Sequence, residues 1–257
     1  HIRGIYGKNE VILHSMKLHI FNPEHDIALA ANQSRFTAPH AGRQLRADLG
    51  FLPALWADDG DMVLVDDVEA ALEWVRHVKR YAHDVAFVTP GDLKHISADM
   101  LHDLQIAPWG WDRTIKEQLL RAAPSLEPVL PSDERLASIR DMSSRRFAAE
   151  RLLPLLHDAN PGVVGESRYC ATEDEALRAM QQYGRSVVKS PWSSSGRGVR
   201  YVAQPAPDNH LLGWMRGVLR QQGGIMIEPL YNKVYDFGME FVANADGTIG
   251  YLGLSLF

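Results

Sequence analysis

SVVKSPWSSSGRGVRYV, running from Ser186 to Val202, joins two β-type runs through a loop of small residues. Val187-Val188 delivers Lys189 at the end of the first run. Ser190 to Gly198 is rich in turn formers, and Val199 to Val202 resumes the extended pattern. Small residues let backbone N–H groups approach an anion closely, and Lys189, Arg197 and Arg200 supply compensating charge. The pattern therefore suits a polyphosphate, with an ordinary solvated hairpin loop as the bland alternative. A Walker-type phosphate loop is excluded, because no G-x-x-x-x-G-K-[ST] occurs and the loop runs into a strand rather than a helix.

The flanking segments favour the functional reading. Thr172-Glu173-Asp174-Glu175 caps an amphipathic helix running to about Tyr183, with Gly184 as its stop. Beyond the loop, a helix near Leu211 to Arg220 precedes Gly224-Ile225-Met226-Ile227-Glu228-Pro229. The order is strand, helix, lysine-bearing strand, loop, strand, helix, and a strand ending in Glu-Pro. It resembles the central module of the ATP-grasp superfamily, over roughly Pro131 to the C-terminus.

The resemblance implies ATP as cofactor, with Lys189 on its α- and β-phosphates. Ser193, Ser194, Ser195, Gly196 and Gly198 would form the flap over the phosphates. Ile227 would offer backbone hydrogen bonds to adenine, and Glu228 would lie near adenine or ribose. One of Arg145 and Arg146, within Ser143 to Ala148, would be an earlier basic contact. Lys233, Asp236 and Glu240 would face the nucleotide from a strand at Tyr235 to Val242, Asp236 and Glu240 on one face if it is regular. Arg197 and Arg200 would join Lys189 in neutralising the transferring phosphoryl group. The implied reaction is ATP-dependent carboxylate–amine ligation through an acylphosphate. An ATP-grasp phosphotransferase, or a nucleotide- or metabolite-binding protein without turnover, are the alternatives. Mg²⁺ is implied too, but the superfamily's metal carboxylates follow the hairpin turned at Asn244-Ala245-Asp246-Gly247, and the chain stops at Phe257. The metal ligands are thus unknown, and a fragment of a longer protein is the expectation. Asp236-Phe237-Gly238 spells a protein-kinase metal triplet, but no His-Arg-Asp catalytic loop precedes it.

Composition sets the outer bounds. A net charge of −5 and the lack of a basic run argue against a nucleic-acid surface. No apolar segment reaches the ~20 residues needed to span a bilayer. The single cysteine, Cys170, excludes an internal disulfide and suits a reducing cytoplasm. His1 to Ser15 lacks signal-peptide character and reads as an upstream or artificially added extension before MKLHIFNPEHDIALAAN. A small-molecule substrate is expected, and homodimer formation is left open.

Residues 16–130 alternate strand and helix patterns, which implies a parallel sheet and a Rossmann-like domain of the kind that precedes an ATP-grasp module; residues 131–257 form that module, incomplete at its end. Leu18 to Phe21 is the first strand. It runs into Asn22-Pro23-Glu24-His25-Asp26 at a strand's carboxyl end, where open α/β sheets hold ligands. Asn22, Glu24, His25 and Asp26 are therefore substrate-binding candidates, weighed against a helix cap with a satisfied histidine. Thr37 to Arg43, including His40, leads into a helix and could serve the same pocket. Leu52 to Trp56, Met62 to Val65 and Val85 to Val88 read as strands, the last one buried, and Val68 to Tyr81 reads as a helix. No G-x-G-x-x-G occurs, so no dinucleotide site is inferred. Asp112 is the expected N-cap of a helix from Arg113 to Ala122. Trp109 and Trp111 could line a pocket, although packing is the commoner use. Pro124 to Pro131 reads as a linker, followed by helical stretches at Asp133 to Asp141 and Ser144 to Leu156.

Overall fold

The computed structural model describes residues 16–203, 207–244 and 246–256. Residues 1–15, expected to be an extension, lie outside the described residues, as do residues 204–206, Ala245 of the turn and Phe257. The chain has an α/β fold. Its first part contains β1 (Lys17–Ile20), α1 (His25–Ala31), α2 (His40–Leu49), β2 (Met62–Leu64), α3 (Val68–Val78), β3 (Ala86–Val88), α4 (Ala98–Asp103), β4 (Gln105–Pro108) and α5 (Arg113–Ala122).

These strands make a parallel sheet in the order β3-β2-β1-β4. A parallel sheet needs both faces covered, and alternate residues of β1 and β2 meet that need. Leu18, Ile20, Met62 and Leu64 pack with Ile106, Ile115, Leu119 and Leu126, while Val63 and Val65 pack with Phe51 and Ala71 on the other side. Each fully buried Leu or Ile is worth about 1.5–3 kcal/mol relative to exposure.

Four expectations change. Leu52–Leu55 is a 3-10 turn, since Pro53 in its first turn presets φ and has no N–H for a ladder. β3 is a sheet edge with Ala86 exposed, so it is not buried. β4 adds a strand that the residue pattern does not announce, because only Ile106 of its four residues is buried and Pro108 ends it. Pro124–Val129 is not a bare linker: it is a 3-10 turn whose Leu126 sits in the core.

Asp61 ties the start of β1 in place. It is buried, and its carboxylate accepts from the Lys17 N–H at 2.8 Å and the Asp58 N–H at 3.0 Å, with His19 Nε2 at 2.9 Å. Burial pushes the carboxyl up, but these hydrogen bonds outweigh it and hold it below its ordinary value. A depressed folded value stabilises the protein above the unfolded value, about 3.9, and that stability is lost as pH falls through the folded value. Asp61→Asn is therefore expected to lower stability at neutral pH and to flatten the acid limb below about pH 4. Urea midpoints from pH 7 to 2 measure both; an unchanged acid limb would refute it.

The second part contains α6 (Asp133–Met142), α7 (Arg145–Phe147), α8 (Leu153–Ala159), β5 (Arg168–Cys170), α9 (Glu173–Tyr183), β6 (Ser186–Lys189), β7 (Val199–Val202), α10 (Asn209–Gln222) and β8 (Ile225–Pro229). Between α7 and α8 the helix widens into a π turn at Ala148–Leu152. Pro154, just beyond, cannot donate to the preceding turn, and such a re-registered turn accommodates it. The strands form an antiparallel sheet in the order β5-β8-β6-β7. The capping box of Thr172 and Glu175 is present, and Gly184 ends α9 at φ 70°. One face is covered by α9 and α10, burying Met180, Val188, Met215, Ile225 and Ile227. β9 (Phe237–Ala243) and β10 (Ile249–Leu256) form a separate two-stranded sheet.

Candidate nucleotide site

Lys189 sits at the end of β6, opposite Met226 of β8 and Val199 of β7. Alternation along a strand puts neighbours on opposite faces. Val188 lies under α9 and α10, so Lys189 emerges on the other face, where Val187 stands opposite Glu228. There Lys189 Nζ meets Glu228 Oε2 at 2.5 Å, and Ser167 Oγ donates to Glu228 Oε1 at 3.1 Å. Arg145 closes the cluster. Its guanidinium donates to the Ser190 carbonyl at 2.7 Å, Ser193 Oγ at 2.8 Å and the Ser193 carbonyl at 3.0 Å. Its backbone N–H donates to the Pro191 carbonyl at 3.0 Å. Burial lowers the Arg145 pKa, while the charges of Glu228 and Asp26 act in the opposite sense. Groups from β8, α7 and α1 thus converge on the root of the loop.

The loop itself is a folded turn. Ser190 N–H donates to the Gly198 carbonyl at 2.8 Å, and Val199 N–H to the Gly196 carbonyl at 3.1 Å. Ser195 and Gly196 take φ values of 53° and 71°. Gly198 has no room for a side chain, since a Cβ there would overlap Ser193 Oγ. Hydrogen bonds to a charged group contribute about 1.5–3 kcal/mol. Arg145→Gln is accordingly expected to speed amide exchange across Ser190 to Gly198 by about tenfold or more, with Arg145→Lys intermediate. Exchange indifferent to both substitutions would remove Arg145 from this role.

The structure separates the two arginine candidates. Arg145 reaches the loop; Arg146 pairs with Glu150 at 3.0 Å and lies 4.3 Å over the Tyr169 ring. Arg200 requires a correction. It stands opposite Val188, its guanidinium lies 4.7 Å over Trp214 of α10, and its N–H groups donate to the Arg197 and Val199 carbonyls. It faces away from Lys189 and cannot share a phosphate with it. Ile227 requires another. It is fully buried and paired with Arg168 on one side and Val188 on the other, which leaves no backbone edge for adenine. Asp236 precedes β9 and forms a local pair with Lys233 at 2.6 Å, while Glu240 accepts from Ser255 Oγ at 2.5 Å. The expected Asp236–Glu240 face on a nucleotide-facing strand is therefore not formed.

Arg197, with Ser193, Ser194 and Gly198, lines a cleft of about 720 Å³ between the loop, α1 and α10. Lys189 and Glu228 are not in its wall. The loop is common to both regions, but the concentration of charged groups is on the Lys189 side. Sequence reading missed the support behind the loop. Trp192 donates through Nε1 to the Arg140 carbonyl at 2.9 Å, the Arg140 guanidinium lies 3.7 Å from the Trp192 ring centre, and Arg140 Nε donates to the Leu29 carbonyl at 2.7 Å. Cys170 is buried, and burial pushes its thiol up to about 11, which leaves it inert as a nucleophile.

At the end of β1 three of the four substrate candidates divide, and the fourth, Asp26, acts through its charge on Arg145. Asn22 is buried and exchanges two hydrogen bonds with the Gly110 backbone, at 2.8 and 3.2 Å. His25 Nδ1 lies 3.0 Å from Asp112 Oδ2, while Asp112 Oδ1 caps α5 by accepting the Ile115 N–H. Asn22 and His25 are thus occupied in fixing the turn. Glu24 is different. Arg46 donates to its Oε1 at 3.0 Å, but its buried Oε2 has no hydrogen-bond partner. Glu24 lines a cavity of about 410 Å³ with Thr37, Arg43, Arg46, Asp66 and Gln118. His40 begins α2 outside that lining. Trp109 packs edge-on to Phe21 at 5.8 Å and against Trp56 at 6.1 Å, the packing role.

No family model matches the chain, and no curated protein does. Among solved structures it is similar to ligases and ATP-grasp proteins. One is N5-carboxyaminoimidazole synthetase from Staphylococcus aureus complexed with ADP, at 11% identity and a TM-score of 0.47, with 94% of this chain and 54% of that one covered. Another is a RimK domain ATP-grasp protein from Sphaerobacter thermophilus, at 20% identity and TM-score 0.39, covering 75% and 71%. A third is D-alanine–D-alanine ligase from Bacillus anthracis complexed with ATP, at 13% identity and TM-score 0.37, covering 95% and 70%. The chain spans about half the length of the synthetase. Among the described residues no group of three or more His, Cys, Asp or Glu side chains is placed to hold a metal ion, and no helix is long and apolar enough to cross a membrane.

Proposed function

We propose that this chain binds ATP in the manner of an ATP-grasp module and carries the nucleotide-holding part of a carboxylate–amine ligase. The observation supporting it is the cluster of Lys189, Glu228 and Arg145 under a closed Ser/Gly loop. Lys189 would exchange its Glu228 partner for phosphate oxygens, the backbone N–H groups of Ser193 to Gly198 would face the same oxygens, and Arg145 would keep the loop floor in place. Glu228, released from Lys189, would accept from a ribose hydroxyl or the adenine amine. The base edge would be sought beyond Pro229, where β8 leaves its ladder. ATP, when bound, supplies the transferable phosphoryl group. No residue is assigned to Mg²⁺, so the reading rests on the nucleotide alone.

Glu24, with one carboxylate oxygen unpartnered, suits the amine of a small substrate, and the charge of Asp26 is felt by Arg145 at the loop root. The second reading is a nucleotide-binding protein without turnover.

Calorimetric titration of ATP, with and without Mg²⁺, into wild type and Arg200→Gln tests the proposal. Saturable one-to-one binding, equal in the two proteins within about twofold, is expected from the orientation of Arg200. No binding by wild type would sink the nucleotide reading. Binding without phosphate release across paired acids and amines would favour the second.

A further inference from the structure

Arg113 at the start of α5, Arg140 near the end of α6 and Arg146 in α7 border one polar cavity of about 260 Å³, with Asn32, Ser144 and Trp192 also in its wall. Three guanidiniums from three helices line it beside the start of the loop. The Arg113 side chain forms no hydrogen bond or ion pair among the described residues. Arg140 spends only its Nε, on the Leu29 carbonyl, and its terminal N–H groups remain available. Two carboxylates stand nearby. Asp141 lines the cavity, and Glu150 is held by Arg146. A third, Asp133, feels the charge of Arg113 but is paired with Lys116 at 2.7 Å. The balance is one positive charge in excess. Burial, followed by the like charge of Arg113, lowers the Arg140 pKa, so the two guanidiniums repel one another across the site.

Like charges facing a polar hollow are stabilised by an anion that accepts from both, and a guanidinium fork fits tetrahedral oxyanions in particular. We propose that Arg113 and Arg140, with Arg146 at the rim, form an anion site for phosphate or a phosphomonoester, separate from the Lys189 cluster. Its wall includes Pro191 and Trp192, the first residues of the 190–198 loop after Ser190. The Pro191 carbonyl accepts from the Arg145 N–H, and Trp192 lies on Arg140. An anion bound here braces the loop from behind. The inference holds independently of what the loop itself carries.

The test is phosphate affinity, measured by ³¹P line broadening and calorimetry on the full chain in chloride buffer at fixed ionic strength. Arg113→Gln, which breaks no hydrogen bond, is expected to weaken inorganic phosphate at least tenfold with an unchanged melting temperature. Arg140→Lys, which keeps the charge but loses the fork, should weaken it several-fold. The Arg113-dependent binding should persist in Lys189→Met. Glycerol 3-phosphate is run beside inorganic phosphate: tighter binding identifies a phosphomonoester site, and equal binding identifies a site for the free ion. Equal phosphate affinity in Arg113→Gln and wild type overturns the proposal, as does a loss confined to Lys189→Met.

Discussion

Replacing Lys189 by methionine is expected to weaken ATP binding by roughly 10- to 150-fold, the loss that follows from removing about 1.5–3 kcal/mol of charge-assisted hydrogen bonding to a phosphate. Methionine keeps the length and apolar stem of the side chain, so the β6–β8 pairing should persist. It also removes the partner of Glu228, whose side chain is only 21% exposed. That carboxylate retains Ser167 and the field of Arg145, so a cost of about 1–3 kcal/mol in stability is expected beside the loss of binding. Lys189→Met with Glu228→Gln separates the two effects. The double variant should regain most of the stability and none of the affinity. Calorimetry gives the affinity and a thermal melt gives the fold; Lys189→Met binding ATP within about threefold of wild type would end the assignment of Lys189 to phosphate.

The second large effect is on stability alone. A Cβ at Gly110 would overlap the His25 ring at Cδ2 and Nε2. Neither side can yield easily. His25 is held by Asp112, and the Gly110 backbone is bonded at both its N–H and its carbonyl to Asn22. Gly110→Ala should therefore cost about 1–3 kcal/mol, a fall in melting temperature of about 2–12 °C. Adding His25→Ala removes the obstruction, so the double variant should melt above Gly110→Ala, a non-additivity that loss of packing alone would not give. Melting temperatures of the two single variants and the double variant decide it.

What could be read from the sequence was local chemistry. The Thr172 capping box, the Asp112 cap of α5 and the lysine-bearing strand all depend on residues within a few positions of one another. The misreadings required long-range knowledge. Which face Arg200 takes depends on its register with Val188, which the residues of β7 alone do not set. That Ile227 has no open edge depends on β5 lying beside β8, where Arg168 pairs with Ile227 across most of the second sheet's sequence. That Arg145 and not Arg146 touches the loop follows from the loop folding back to α7, and the contact of Trp192 with Arg140 joins residues 52 positions apart. The unpartnered Glu24 oxygen is a property of packing, and no pattern of residue types encodes it.

Three hydrogen bonds from one guanidinium hold the Ser190 to Gly198 loop shut at its root. If nucleotide enters beneath that loop, the slow event in uptake is the release of Arg145 and not the collision. The observed rate in a stopped-flow experiment should then rise with ATP concentration only to a ceiling, and Arg145→Gln should lift that ceiling.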